Sequence, residues 1–177
     1  MKQASAEKIL VIGPAWIGDM VMAQSMFILL KGQYPGCEIT VMAPAWTEPL
    51  LARMPEVDAT LDLPFKHGEL ALGARRKLGR SLKTRAFTRA IVLPNSFKSA
   101  LVPFHAGIPV RSGWRGEMRK LLLTDCRKLD SNSYPLQVQR FAALAHAPAR
   151  LPPADIPPPQ LQVNKEQVKQ ALARFKL

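Results

Sequence analysis

The 177-residue chain reads as an α/β protein built on a doubly wound, mainly parallel sheet. Three observations predict this. Short apolar runs rich in β-branched residues recur between Lys8 and Gly113, and each is followed by a loop and a segment with helical character. Strands alternating with helices at this spacing imply right-handed βαβ units. The composition, 47% hydrophobic and 21% charged, supplies a core for one ordinary domain with a small appendage.

The elements follow in order. Lys8–Ile12 (KILVI) is wholly apolar after its lysine and stops at Gly13-Pro14, as a buried parallel strand does. Met20–Lys31 is a helix closing at Gly32, with Val21, Met22, Met26, Leu29 and Leu30 as its expected inner face. Glu38–Ala43 is a second strand, Thr47–Met54 a short helix, Ala59–Leu63 a third strand and Leu70–Lys83 a basic helix. Arg89–Leu93 is a fourth strand, Lys98–Ala106 a helix and Val110–Gly113 a fifth strand. Pro135 suits the first turn of a helix reaching about His146. Pro148 to Pro159 then holds six of the chain's 16 prolines and reads as a stiff, extended linker. Lys165–Lys176 is an amphipathic helix with Val168, Leu172 and Phe175 on one side. The expected organisation is a Rossmann-like domain over 1–147, a linker over 148–160 and the start of a second domain over 161–177. Ligands in such sheets bind beyond the carboxyl ends of the strands, so function is expected in the loops that follow them.

Charge narrows the partner. The net charge is +12, and two segments account for all of it: residues 66–89 hold eight Lys/Arg and one acid, and residues 98–128 hold seven and two. A uniformly basic coat is excluded, and a localised basic surface near the sheet's carboxyl edge, facing an anionic partner, is expected. Cys37 and Cys126 form no C-x-x-C or metal-ligand pattern and read as reduced cytosolic thiols. His67, His105 and His146 show no ligand spacing. Gly13, Pro14, Gly18, Asp19 and Gln24 interrupt the first apolar stretch, which therefore reads neither as a signal peptide nor as a membrane span.

The loop Gly13-Pro-Ala-Trp-Ile-Gly-Asp19 lacks both the dinucleotide glycine fingerprint and the P-loop lysine, which argues against an NAD(P)-dependent oxidoreductase. Asp19 fits two compatible roles: a helix-start residue favoured by the unpaired N–H groups there, and a carboxylate able to accept a proton from a substrate hydroxyl. Arg76, Arg80 and Lys83 share one face of the basic helix with Leu72 and Leu78 roughly opposite, either as a solvated face or as an anion-binding one without interleaved acids. Pro94-Asn-Ser-Phe-Lys-Ser-Ala100 follows a buried strand, with Ser96 a possible helix cap and Lys98 a cation at a helix start, where an anion is wanted. Arg111, Arg115, Arg119 and Lys120 surround a Gly-rich turn. Arginine's planar fork suits phosphate and carboxylate.

ILVIGPAWIGDMVMAQSMFILLK, VMAPAWTEPLLARMPEV, LGARRKLGRSLK and IVLPNSFKSALVPFHAGIPVRSGWRGEMR, in that order, resemble the amino-terminal half of the bacterial ADP-heptose:lipopolysaccharide heptosyltransferases of type II, in glycosyltransferase family 9. The resemblance implies a GT-B enzyme whose amino-terminal domain takes the lipopolysaccharide inner core while a second domain binds ADP-heptose. It implies inverting heptose transfer without cofactor or metal, with Asp19 of Gly18-Asp19 as general base. Arg75, Arg76, Lys77, Asn95, Ser96, Lys98, Arg115 and Arg119 are then expected to hold acceptor acid groups or to touch the cytoplasmic membrane, with the protein cytoplasmic and peripheral at its inner face. Since the chain ends at Leu177, soon after the linker, the donor half is expected to be missing and the polypeptide alone inactive. The alternative is a basic α/β nucleic-acid-binding domain, for which only Phe87 and Trp114 stand near the basic segments; nucleic acid is not the expected partner.

Overall fold

The computed structural model describes residues 6–66, 68–149 and 151–175. His67, set aside above as a ligand, and Lys176, the expected end of the last helix, lie outside the described residues. Among the described residues the strands β1 (Lys8–Ile12), β2 (Glu38–Ala43), β3 (Ala59–Asp62), β4 (Arg89–Val92), β5 (Val110–Trp114) and β6 (Asp125–Arg127) form one sheet in the order β3-β2-β1-β4-β5-β6. Every pairing is parallel. This is the doubly wound order, in which the chain starts in the middle, builds outward to one side and returns to build the other.

The helices are α1 (Ile17–Gln33), α2 (Glu48–Leu51), α3 (Leu72–Ser81), α4 (Leu101–His105), α5 (Gln137–Ala143) and α6 (Lys165–Phe175). Side chains alternate across the sheet, so β1 feeds two cores. Ile9 and Val11 join Met20, Phe27 and Leu30 of α1 and Phe141 of α5 on one face. Leu10 and Ile12 join Leu101 and Val102 of α4 and Leu82 on the other. The four β1 residues Ile9–Ile12 are at most 1% exposed, which accounts for their uninterrupted apolar run.

Several boundaries differ from expectation. Helix α1 begins three residues earlier than read, and it buries Met20, Ala23, Met26, Phe27 and Leu30, while Val21, Met22 and Leu29 are only half-buried. Met26 and Leu30 thus lie inward as expected, and the rest of the buried face is shifted to Met20, Ala23 and Phe27, in the core that α1 shares with β1 and α5. β5 extends to Trp114, and β6 has no counterpart in the sequence reading. β6 is three residues of Asp-Cys-Arg, with no apolar pattern to reveal it. Arg127 anchors it by donating to the carbonyls of Ala143 and His146 beside α5, while a 2.7 Å ion pair with Asp125 on the same strand orients its guanidinium. Burial works to raise the Asp125 carboxyl, but the Arg127 guanidinium outweighs it and holds the group below the ordinary carboxylate range.

Between α5 and α6 no helix or strand is present among the described residues. This stretch returns to the domain. The fully buried Gln24 of α1 donates to the Gln160 carbonyl at 2.8 Å and accepts from the Gln160 N–H at 3.0 Å. Further on, the Gln162 N–H donates to the Arg53 carbonyl, and the Arg53 side chain donates to Gln167 of α6.

Helices α3 and α4 cover one face of the sheet and pack closely at Gly79. A Cβ there would stand 2.6 Å from the Val102 carbonyl oxygen and 2.7 Å from the His105 Cβ. Gly73, in the same helix, has open space around it. Gly79→Ala is therefore expected to destabilise the protein by about 1–3 kcal/mol through overpacking, whereas Gly73→Ala stabilises it by up to about 1 kcal/mol through helix propensity. Urea unfolding of both variants checks the opposite signs.

Candidate functional site

Parallel pairing brings the strand ends together. Ile12 of β1 is level with Met42 of β2 and Val92 of β4, and Val92 is level with Gly113 of β5. The loops that follow these strands consequently share one edge. Asp19 lies in the first turn of α1, half-buried, three residues past the helix-bounding Trp16, and it enters none of the ion pairs among the described residues. The helix begins without a side-chain cap from Trp16. An acid in the first turn is favoured by the helix field, and this one is also open to solvent.

The β4 loop stands beside it, because the Leu93 N–H donates to the Ile12 carbonyl at 3.1 Å. Asn95 is exposed and Ser96 and Lys98 half-buried. Ser96 bounds the turn Phe97–Ala100 but makes no side-chain cap; Ser99 instead donates its hydroxyl to the carbonyls of Pro94 and Ser96. The β5 loop closes over this one. Gly116 lies so near that a Cβ would overlap the Asn95 carbonyl oxygen, and the Glu117 carboxylate accepts from the Phe97 N–H. Arg115, at the start of that loop, is exposed.

Two arginines expected at the surface are inside. Arg119 is 0% exposed, and all five of its N–H groups are used. Nε donates to the Trp114 carbonyl at 2.9 Å, Nη1 to the Pro94 carbonyl and to the Ser99 hydroxyl at 3.2 Å, and Nη2 to Asn95 Oδ1 at 3.0 Å and again to Trp114. Burial lowers its pKa to about 10, which leaves it charged at neutral pH. Arg75 is 3% exposed; Nε donates to the Leu70 carbonyl at 2.8 Å, Nη2 to the Glu69 carbonyl at 3.1 Å, and the guanidinium lies 4.0 Å from the Phe65 ring centroid. Burial pushes it below its ordinary pKa as well. Both residues are corrected from anion contacts to supports of the β3 and β4 loops, because Arg119 has spent every donor on the protein and Arg75 is buried against Phe65 and two loop carbonyls.

The basic surface is also divided. Arg76, Lys77, Arg80, Lys83 and Arg85 are exposed. However, α3 runs away from the carboxyl edge, and its ten residues cover about 15 Å. Arg76 and Arg80 lie close enough to His105, at the far end of α4, to add to burial in lowering its pKa. Arg111, at the opposite end of β5, is committed to the carbonyls of Ile108 and Leu122. The expected single basic edge is thus replaced by a carboxyl-edge group, Lys98 and Arg115, and a separate stripe along α3.

The edge has an apolar part that the sequence reading missed. Trp16 is 73% and Trp46 63% exposed, and the Trp46 indole N–H donates to the Ala15 carbonyl at 3.2 Å, tying the β1 and β2 loops together. The available signal was a repeat: both strands run into Pro-Ala-Trp, at 14–16 and 44–46. Indole faces beside hydrogen-bonding groups suit a ligand with apolar and polar sides, such as a sugar ring. Phe87 and Trp114 are buried, so the nucleic-acid alternative loses the aromatics it relied on. Among the described residues no group of three or more His, Cys, Asp and Glu is placed to hold a metal ion. A cavity of about 620 Å³ between β6, α5 and the proline-rich stretch is lined by none of the candidate residues.

The family model of glycosyltransferase family 9 (heptosyltransferase) matches residues 75–177. The chain is 54% identical over 175 residues to lipopolysaccharide heptosyltransferase 2 of Escherichia coli (strain K12), a match covering 96% of this chain and 50% of that protein. It is 50% identical over 171 residues to lipooligosaccharide heptosyltransferase 2 of Haemophilus ducreyi, covering 95% and 49%. The structure of E. coli ADP-heptose lps heptosyltransferase II superposes with a TM-score of 0.87 at 50% identity, over 96% of this chain and 51% of that one. The chain thus spans about half the length of the curated relatives it matches.

The two neighbouring arginines of α3 separate support from surface. Arg75→Met leaves the carbonyls of Glu69 and Leu70 without their partner and is expected to cost about 1–3 kcal/mol, whereas Arg76→Met stays within about 0.5 kcal/mol of the parent. Thermal and urea unfolding measure both.

Proposed function

The chain belongs to glycosyltransferase family 9, the heptosyltransferases, and we propose that it forms the acceptor-binding half of an enzyme that transfers heptose from ADP-heptose to the lipopolysaccharide inner core. The observation that carries this reading is the placement of Asp19. Its carboxylate stands unpaired among the described residues, on the edge where the β1, β4 and β5 loops meet. The similarity to heptosyltransferases supports the identity of the substrates.

In the proposed reaction Asp19 takes the proton from a hydroxyl of the acceptor heptose as that oxygen attacks the anomeric carbon of the donor. The new C–O bond forms on the face opposite the departing diphosphate, the bond to ADP breaks, and the configuration inverts. General-base assistance of this kind contributes roughly 10²–10⁴-fold. Asn95, Ser96, Lys98 and Arg115 face the acceptor, with the two cations matched to its acid groups. ADP-heptose is held by the remaining half of the enzyme, without which we expect no transfer. Residues 1–147 are the acceptor domain in this reading, 148–160 the connection and 161–177 the beginning of the donor domain.

No helix among the described residues is long and apolar enough to cross a membrane. We place the protein at the inner face of the cytoplasmic membrane, held peripherally. Arg76, Lys77 and Arg80 along α3 and Lys83 just beyond it, with exposed Leu70 and Leu72 around its start, form the surface that would meet anionic lipid. Sedimentation with vesicles containing anionic phospholipid is expected to capture the chain at low salt and to release it at high salt. Salt-independent capture, or none, contradicts the membrane assignment.

Joining the chain to the remaining half of the E. coli relative provides the enzymatic test. The chimera is expected to release ADP only when acceptor is present. Asp19→Asn should lower turnover by about 10²-fold or more, and Arg115→Glu should raise the KM for acceptor while leaving that for ADP-heptose unchanged. Undiminished transfer by the Asp19 variant refutes the assigned base.

A further inference from the structure

The Arg119–Asn95 pair carries a specific consequence for ligand recognition. A guanidinium has only donors, so the Asn95 atom 3.0 Å from Nη2 has to be the amide oxygen. The usual ambiguity between the two ends of an asparagine amide is removed by chemistry. With Oδ1 turned inward to a fully buried arginine and Asn95 itself exposed, the NH₂ end faces out from the β4 loop. Nδ2 has no hydrogen-bond partner among the described residues.

The holder is rigid. Arg119 spends its other four N–H groups on Trp114 at the end of β5 and on Pro94 and Ser99 after β4. Gly116 lets the β5 loop lie against the Asn95 backbone, where any side chain would collide. The amide is thus fixed at both ends of the residue, in the loop after β4, the strand that pairs with the one leading to Asp19.

We propose that Asn95 is a specificity-determining binding residue that presents its NH₂ donors to oxygens of the acceptor saccharide, and that Arg119 is the positioning residue that sets the polarity of its amide. This rests on the acceptor-side reading given above. It assigns to the buried cation a task that surface arginines do not have: it selects a ligand acceptor atom over a donor without touching the ligand.

Asn95→Asp separates this role from a structural one, because the carboxylate keeps and strengthens the bond to Arg119 while removing both outward donors. The test uses the whole chain and a deacylated heptosyl-Kdo core oligosaccharide, titrated by calorimetry and by NMR of the asparagine side-chain amides. The wild-type protein is expected to bind, with the Asn95 NH₂ resonances shifting. Asn95→Asp should bind at least about 10-fold more weakly with an unchanged or raised Tm, and the loss should persist at high salt, which screens charge repulsion. Arg119→Lys, which keeps the charge but loses the fork, should weaken binding alone yet add little in the Asn95→Asp background. Equal binding by wild type and Asn95→Asp, or a loss that salt abolishes, overturns the donor assignment. No binding by the wild type overturns the acceptor-side reading and this assignment together, a result distinct from either of those.

Discussion

The whole arrangement depends on burying β1 from both sides. Ile9 to Ile12 have no exposed face, so the strand requires a neighbour on each edge and a helical layer above and below. With parallel neighbours, each connection has to cross back over the sheet, and every strand then delivers its carboxyl end to one edge. The meeting of the Asp19, Asn95 and Arg115 loops is therefore a geometric result of a hydrophobic requirement. The residues that would do chemistry have no part in causing it.

The second organising feature is the use of buried arginine as scaffold. Removing a guanidinium from water is costly unless its donors are met. Arg119 meets all five with neutral oxygens, and Arg75 combines two carbonyls with an aromatic face. Neither forms an ion pair among the described residues. Each therefore contributes positive charge to the protein interior next to a loop, and the loops gain shape from a residue type that composition alone assigns to the surface. The +12 charge counted along the chain is not all available to a partner.

Much of the fold was legible from period and punctuation. β1, β2 and the positions of the intervening helices follow from apolar runs that end at Gly-Pro, Ala-Pro or a glycine, and these signals are local. β6 was not legible, because what holds it is its pairing with β5 and the bonds from Arg127 to the carbonyls of Ala143 and His146, which are tertiary. At the site, Asp19, Asn95 and Lys98 could be placed on the correct edge because strand ends are easy to find. Arg75 and Arg119 could not be separated from Arg76 and Arg115, since burial depends on what lies above a residue. The Trp16 and Trp46 pair was written plainly in the repeated Pro-Ala-Trp, but a motif search tuned to phosphate loops and catalytic residues passes over it.

Gln24 gives the proline-rich stretch something its own composition withholds. Prolines have no N–H, and six of them between residues 148 and 159 leave that backbone unable to pair as a strand along most of its length. At Gln160 the backbone regains a donor, and the buried amide of Gln24 matches it with one acceptor and one donor, imitating a single rung of a β-ladder. A shift of one residue in either direction would break both bonds and leave the buried amide of Gln24 without them, and on the side toward Pro159 there would be no N–H to replace the one lost. One side chain on the first helix thus indexes the register of a segment more than 130 positions further along the chain.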